Sequence, residues 1–168
     1  MSDQTYTPSF RPLAMLAGMA IPGLGHFVAG ERSRGVCVFA GVMGLFITGL
    51  LVGGVDTIDS KEDRVWFYGQ ALVGPATFGV DWYHQNRLKV IDARGMLRTA
   101  NPGEGRGPDG KVLVGGTPPN SKSVAKMNEI GTLYSTVAGM LNVIVVLDAG
   151  FPGRRGRKGK GAPEGAKA

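Results

Sequence analysis

The sequence predicts an all-α membrane protein, and three observations carry that prediction. Residues 35 to 55 hold no charged side chain at all. Three further stretches, 13–29, 65–80 and 130–147, are also free of Asp, Glu, Lys and Arg. Finally, 28 glycines and 10 prolines beside 43% hydrophobic residues suit a water-soluble core poorly, whereas packed membrane helices tolerate glycine well. The mean hydropathy of +0.02 averages these apolar stretches with very polar ones.

Each segment follows from its composition. A helix rises about 1.5 Å per residue and needs roughly 20 apolar residues to cross a hydrocarbon layer about 30 Å thick. Residues 36–55 supply that length. Residues 130–147, closed by Asp148, come next. The stretch 13–29 is broken by Ile21-Pro22-Gly23-Leu24-Gly25-His26, because proline removes a helical donor and clashes with the preceding turn. It either crosses as a broken helix or dips in and returns. Residues 65–80 contain Gly69, Gly74, Pro75 and Gly79, and Trp66, Tyr68, Trp82 and Tyr83 near their ends suit interfacial belts, so a short span is expected. The organisation is then an N-terminal tail (1–12), a single membrane domain (13–150) that includes a long polar loop (81–129), and a basic tail (151–168) expected to be disordered.

The polar loop has two textures. Arg87, Arg94 and Arg98 share one helical face and Val90, Ala93 and Leu97 another, which fits either a helix lying in the interface or an ordinary solvated helix. From Thr99 to Ser123, glycine, proline and asparagine favour turns and disorder, with at most one short strand at Val112 to Val114. If all four segments cross, Arg32 and Arg34 share a side with Arg87, Lys89, Lys122 and Lys126. The acidic loop from Asp56 to Arg64 then lies opposite, as the positive-inside rule favours. The basic tail breaks that pattern, unless one segment fails to cross.

Motifs with chemistry are few. Gly105-Arg106-Gly107-Pro108-Asp109-Gly110-Lys111 matches two phosphate-loop strings, but such a loop needs a strand before it and a helix after it, and here Val112 stands where Ser or Thr is required. The single cysteine, Cys37, excludes an intrachain disulfide and a cysteine-based metal site. His26, His84, Asp81, Asn142 and Asp148 are polar groups near or within apolar segments, where an ionisable or amide group is costly and marks function or backbone satisfaction. Only Asn142 is placed deep by its sequence position. No cofactor is expected, and no metal, since two histidines without a carboxylate at ligand spacing on a common helix are weak evidence for one.

Small residues give the clearer pattern. Gly131, Ser135 and Gly139 recur every fourth residue, and Gly49 and Gly53 form a G-x-x-x-G string. Such faces let helix backbones approach closely, within one chain first and between chains second. The tail, with Arg154, Arg155, Arg157, Lys158 and Lys160, suits anionic lipid headgroups, while its lack of interleaved aromatics speaks against nucleic acid.

Pro22-Gly23-Leu24-Gly25-His26-Phe27, then Gly30 and Arg34-Gly35, resembles the signature of two-transmembrane-helix domain proteins over about residues 11 to 55. Joined to the distal block from Glu129 to Tyr134, Ala138 to Asn142 and Leu147 to Ala149, it is similar to a group of uncharacterised bacterial multi-pass membrane proteins. The resemblance implies the bacterial inner membrane and carries over no catalytic residue. The expected function is therefore a non-enzymatic structural or assembly component, packing against itself or another membrane protein in the lipid bilayer. A small transporter or channel subunit is the alternative, and a lipid-modifying enzyme using His26 or His84 with Asp81 or Asp148 comes third.

Overall fold

The computed structural model describes residues 10–120, 123 and 125–151. Two long antiparallel helices form its spine, α3 (Arg32–Gly53) and α6 (Ala125–Gly150). Both are long and apolar enough to cross a membrane, with mean hydropathies of 2.3 and 1.8 over their best windows. They meet through glycine. A β-carbon on Gly49 would come within 2.7 Å of the Gly131 carbonyl oxygen and 3.0 Å of the Ser135 nitrogen, and one on Gly131 would sit 2.6 Å from the Gly53 α-carbon. At the other end of the pair, Arg34 reaches Asp148. The two ends can therefore be called the Gly53 end and the Arg32 end.

Neither of the two other apolar stretches forms a helix long enough to cross a membrane by itself, so among the described residues two of the four expected segments are long apolar helices. Residues 13–29 fold as α1 (Pro12–Ala20) and α2 (Leu24–Val28), a hairpin whose two ends lie at the Arg32 end. The nitrogen of Arg11 donates to the Gly150 carbonyl at 3.0 Å, so α1 starts beside the end of α6. Nine residues at about 1.5 Å each reach roughly 14 Å, half the depth of a hydrocarbon layer. Pro22 and Gly23 then turn the chain. Gly23 has φ 81°, where only glycine is comfortable, and a β-carbon there would meet the Gly35 carbonyl. On the return, Gly25 packs against the Ala14 carbonyl and Ala149, bringing His26 to Asp148.

Residues 65–80 form the second hairpin, α4 (Arg64–Ala71) and α5 (Pro75–Tyr83), turning at Gly74. This one enters from the Gly53 end. Gln70 donates to the Thr57 carbonyl, Gly139 packs on the Gly69 carbonyl, and Asn142 donates to the Leu72 carbonyl, so α4 runs inward along α6. The way back is fixed by Asp81, which accepts the Ser60 N–H at 2.9 Å, and by Phe67 and Phe78 packed edge to face at 5.7 Å. The tips of the two hairpins meet: a β-carbon on Gly74 would lie 2.9 Å from the Met19 carbonyl oxygen. Each half of the chain is thus a short helical hairpin followed by a long helix, and the halves run in opposite directions.

Between the halves, one turn of π-helix (His84–Leu88) leads into two antiparallel hairpins. The first is β1 (Lys89–Ile91) with β2 (Leu97–Thr99), and the second is β3 (Glu104–Arg106) with β4 (Val112–Val114). A parallel bridge from Ile91 to Lys111 joins them. The helix expected over residues 87–98 is therefore a turn and a β-hairpin, and the disorder expected after Thr99 is absent from 99–120. Only β4 coincides with an expected strand. Arg98 and Glu104 lock the hairpins together with two hydrogen bonds of 2.7 and 2.9 Å, and this guanidinium holds the Glu104 carboxyl down at about 2. The disorder expected for the basic tail concerns residues that, after Phe151, lie outside the described ones.

Val42, Phe46, Ile58, Phe67, Val73 and Ala138 form the apolar core. Much of what else is buried is polar, including His26, Gln70, Thr77, His84, Lys89, Ser135 and Asn142. The outer surface is correspondingly apolar, with Leu13, Leu16, Ile47, Leu51, Val65, Phe78, Met140 and Ile144 exposed.

Candidate functional site

The buried polar groups fall at three levels. At the Gly53 end, the loop after α3 carries Asp56 and Asp59 inward, because the short 3-10 turn Val55–Thr57 folds it back over the helix end. Asp59 Oδ1 accepts the N–H groups of Lys61 and Glu62 and the Nε2 of Gln85, and its Oδ2 lies 2.5 Å from Lys89 Nζ. Glu62 adds a second carboxylate oxygen 3.0 Å from that ammonium. Burial alone would lower the Lys89 pKa, but Asp59 and Glu62 outweigh it and raise it.

His84 completes this level. Its Nδ1 donates to the Ile58 carbonyl at 3.1 Å, and its Nε2 lies 3.3 Å from Asp56 Oδ1. Both ring nitrogens face acceptors, so the imidazolium is favoured despite burial, and the pKa is raised above 6.5. Asn128 on α6 donates to the other oxygen of Asp56. The loop, α5, β1 and α6 are therefore joined through one set of side chains.

The middle level satisfies broken backbone. Where α4 ends, two carbonyls receive side-chain donors: Thr77 Oγ1 donates at 2.8 Å to that of Gln70, which also accepts the Val73 N–H, and Asn142 Nδ2 donates at 2.9 Å to that of Leu72. Gln70 in turn donates to Ser135 Oγ. Beside Asn142 lies a cavity of about 260 Å³, walled otherwise by apolar side chains of α1, α4 and α6 and by Leu72.

At the Arg32 end, His26 Nε2 lies 3.0 Å from Asp148 Oδ2, which Arg34 also reaches at 2.5 Å. Glu31 pairs with the same arginine at 3.2 Å. Asp148 is partly exposed while His26 is buried, and His26 Nδ1 has no hydrogen-bond partner.

The structure thus distributes the residues singled out from sequence. Gly49, Gly53, Gly131, Ser135 and Gly139 all lie at helix contacts within the chain. Pro22, Gly23 and Gly25 shape the first hairpin, whereas Asn142 sits between the two ends of α6 beside the tip of the second hairpin, and His26 and Asp148 meet although 122 residues apart. Asp81 and His84 are together at the opposite end, and Cys37 is exposed on the outer side of α3. The proposed grouping of Arg32 and Arg34 with Arg87 and Lys89 fails, because Lys89 pairs with Asp59 of the acidic loop, at the far end of α3. Asp56, Asp59, Gln70, Gln85, Lys89 and Asn128 were not found by sequence reasoning. The i, i+4 spacing of Asp81, Gln85 and Lys89 was the one local signal available. Among the described residues no group of three or more His, Cys, Asp or Glu is arranged to hold a metal.

These features define a mostly helical protein with two helices long and apolar enough to cross a membrane, two short helical hairpins packed on them from opposite ends, and buried polar levels between them. The chain belongs to DUF6677, a family of unknown function, which it matches over residues 13–160. No curated protein and no solved structure matches it.

Proposed function

We propose that this chain is an integral membrane protein with a non-enzymatic role as an assembly component of a membrane complex. The carrying observation is its inverted distribution, with an apolar outer surface over a polar interior. In water, such an exposed apolar surface would drive aggregation, whereas in lipid it is the required one. The likeness of residues 22–35 to two-transmembrane-helix proteins supports the same location. In this reading α3 and α6 cross, and the hairpins re-enter from opposite faces.

The assembly role is supported by how the polar groups are used. Gln70, Thr77 and Asn142 satisfy backbone carbonyls, and Lys89 and Asp59 neutralise each other, which are fixed structural tasks. The outer face of α3 carries Cys37, Gly41, Gly44 and Thr48, with nothing within 4 Å of a β-carbon at either glycine. That face fits a second copy of the chain at close range. Oxidative cross-linking in native membranes is expected to give a Cys37-linked dimer, weakened by Gly41→Leu. Monomer under all conditions would remove self-assembly, and release from membranes by alkaline carbonate without detergent would remove the membrane reading.

The opposed hairpins favour a second reading, a small transporter or channel subunit. Discontinuous helices meeting at mid-depth are how many transporters build a binding site. Proton or ion flux into vesicles containing the purified chain, above protein-free vesicles and lost in His26→Ala, is its expected signature. Equal flux in both vesicle types would discard it.

A further inference from the structure

The two hairpins are held unequally. The second is fixed by buried polar contacts, Gln70 to the Thr57 carbonyl and to Ser135, then His84 to the Ile58 carbonyl and Gln85 to Asp59 in the turn that follows α5. Phe67 and Val73 also carry it into the apolar core, which among the described residues includes none of α1 or α2. The first hairpin rests on α6 through small residues, Gly18 against Val146 and Gly25 against Ala149. Beside that contact lies the cavity of about 260 Å³, with Met15 and Met19 of α1 and Val143 of α6 among its walls. A void forfeits the attraction that packed atoms would supply.

His26 is the only polar side chain in α1 or α2, and its Nε2 holds Asp148 Oδ2 at 3.0 Å. Releasing this tie costs little. Arg34 Nη2 lies 2.5 Å from the same oxygen, so Asp148, itself partly exposed, keeps a cation when the imidazole leaves. His26 Nδ1, buried without a partner, gains one in water. Releasing the second hairpin would instead part Lys89 from Asp59, both out of solvent, and strand two charges. Gly30, at φ 86° between α2 and α3, is exposed, and a β-carbon there would meet nothing within 4 Å. The joint has room to bend.

We propose that the first hairpin is a movable flap on a fixed scaffold, latched by His26 on Asp148, which swings off α6 while the second hairpin stays docked. Opening uncovers the side of α6 that carries Asn142, Val146 and Ala149, because these residues face Gly18 and Gly25 in the closed form. The flap is a property of the fold, and goes beyond both readings of function above.

Hydrogen–deuterium exchange of the full chain in mild detergent tests it, by comparing peptides from residues 13–28 with peptides from residues 65–82. With each amide corrected for its intrinsic rate, the first hairpin is expected to exchange at least about tenfold faster, since weakly anchored elements open first. Asp148→Ala removes the latch, and should speed residues 13–28 by a further factor of at least about three while residues 65–82 keep their rate. The second hairpin thus reports on folding within the same molecule. Equal or slower exchange of residues 13–28 in the unaltered chain overturns the proposal, and that comparison needs no variant. An Asp148→Ala chain in which both hairpins speed up alike, or neither changes, overturns the latch. The comparison is internal to one chain, so its outcome is separate from whether the chain fractionates with membranes.

Discussion

Lys89 Nζ stands 2.5 Å from Asp59 Oδ2 with both side chains out of solvent, although thirty positions separate them in sequence. This contact ties the first residue of β1 to the loop that follows α3. It decides the topology, because a chain that crossed between Asp59 and Lys89 could not make it. A buried pair of this kind adds little net stability over a well-packed apolar pair, yet removing one partner strands the other.

Lys89→Met is therefore expected to destabilise the chain by about 3–5 kcal/mol, since Asp59 and Glu62 lose their shared cation. Replacing both Lys89 and Asp59 by apolar residues should cost less than Lys89→Met alone. Thermal unfolding of the three variants in one detergent checks this, and equal losses in the single and double variants would deny the coupling.

The glycines divide into two sets with opposite expectations. Gly131→Ala places a methyl group against the Gly49 carbonyl and the Gly53 α-carbon, and because backbone cannot yield as a side chain does, a loss of about 1–3 kcal/mol is expected. Gly41→Ala and Gly44→Ala face open space, so each should be neutral or stabilising by up to about 1 kcal/mol from helix propensity. Melting temperatures of the three variants separate the sets, and a harmless Gly131→Ala would contradict the packing of α3 on α6.

The Gly53 end should show a pH window set by two groups. Burial would lower His84, but Asp56, the Ile58 carbonyl and Asp59 raise it above 6.5. Its stabilisation is thus complete below pH 6.5 and lost as pH rises through the raised value. Burial would raise Asp59, but Lys89, the Lys61 and Glu62 N–H groups and Gln85 hold it below 3.8. Its stabilisation is complete above pH 3.8 and lost as pH falls through the lowered value. From these two groups, stability should be greatest between pH 3.8 and 6.5. In His84→Gln the decline on the alkaline side should disappear and the acid side remain. An unchanged alkaline decline in His84→Gln would assign it to another group.

The long helices were legible because a crossing helix needs only a long uncharged run: 36–55 became Arg32–Gly53 and 130–147 became Ala125–Gly150. Both start earlier than expected, since Arg32, Arg34 and Lys126 are helical although charged, while α3 stops two residues early at Gly53. Pro22-Gly23 marked the first turn, and Gly74-Pro75 the second. What neither dipeptide reveals is that the chain goes back the way it came, because that depends on partners far away, Asp148 for His26 and Ile58 for His84. The β-hairpins escaped because three-residue strands leave almost no periodicity, and Arg87, Arg94 and Arg98 happened to fit a helical face. The buried cluster escaped for the same reason as the turns: Asp59, Gln85 and Lys89 become neighbours only after the second hairpin closes.

Sided cysteine labelling of intact membrane vesicles tests the central claim, that both hairpins re-enter, most directly. In a Cys37→Ala background, single cysteines replace Arg11, Ser33, Lys61 and Arg94, all exposed. Re-entrant hairpins place Arg11→Cys and Ser33→Cys on one side and Lys61→Cys and Arg94→Cys on the other. If labelling instead alternates, with Arg11→Cys and Lys61→Cys on one side and Ser33→Cys and Arg94→Cys on the other, four segments cross and the account is contradicted.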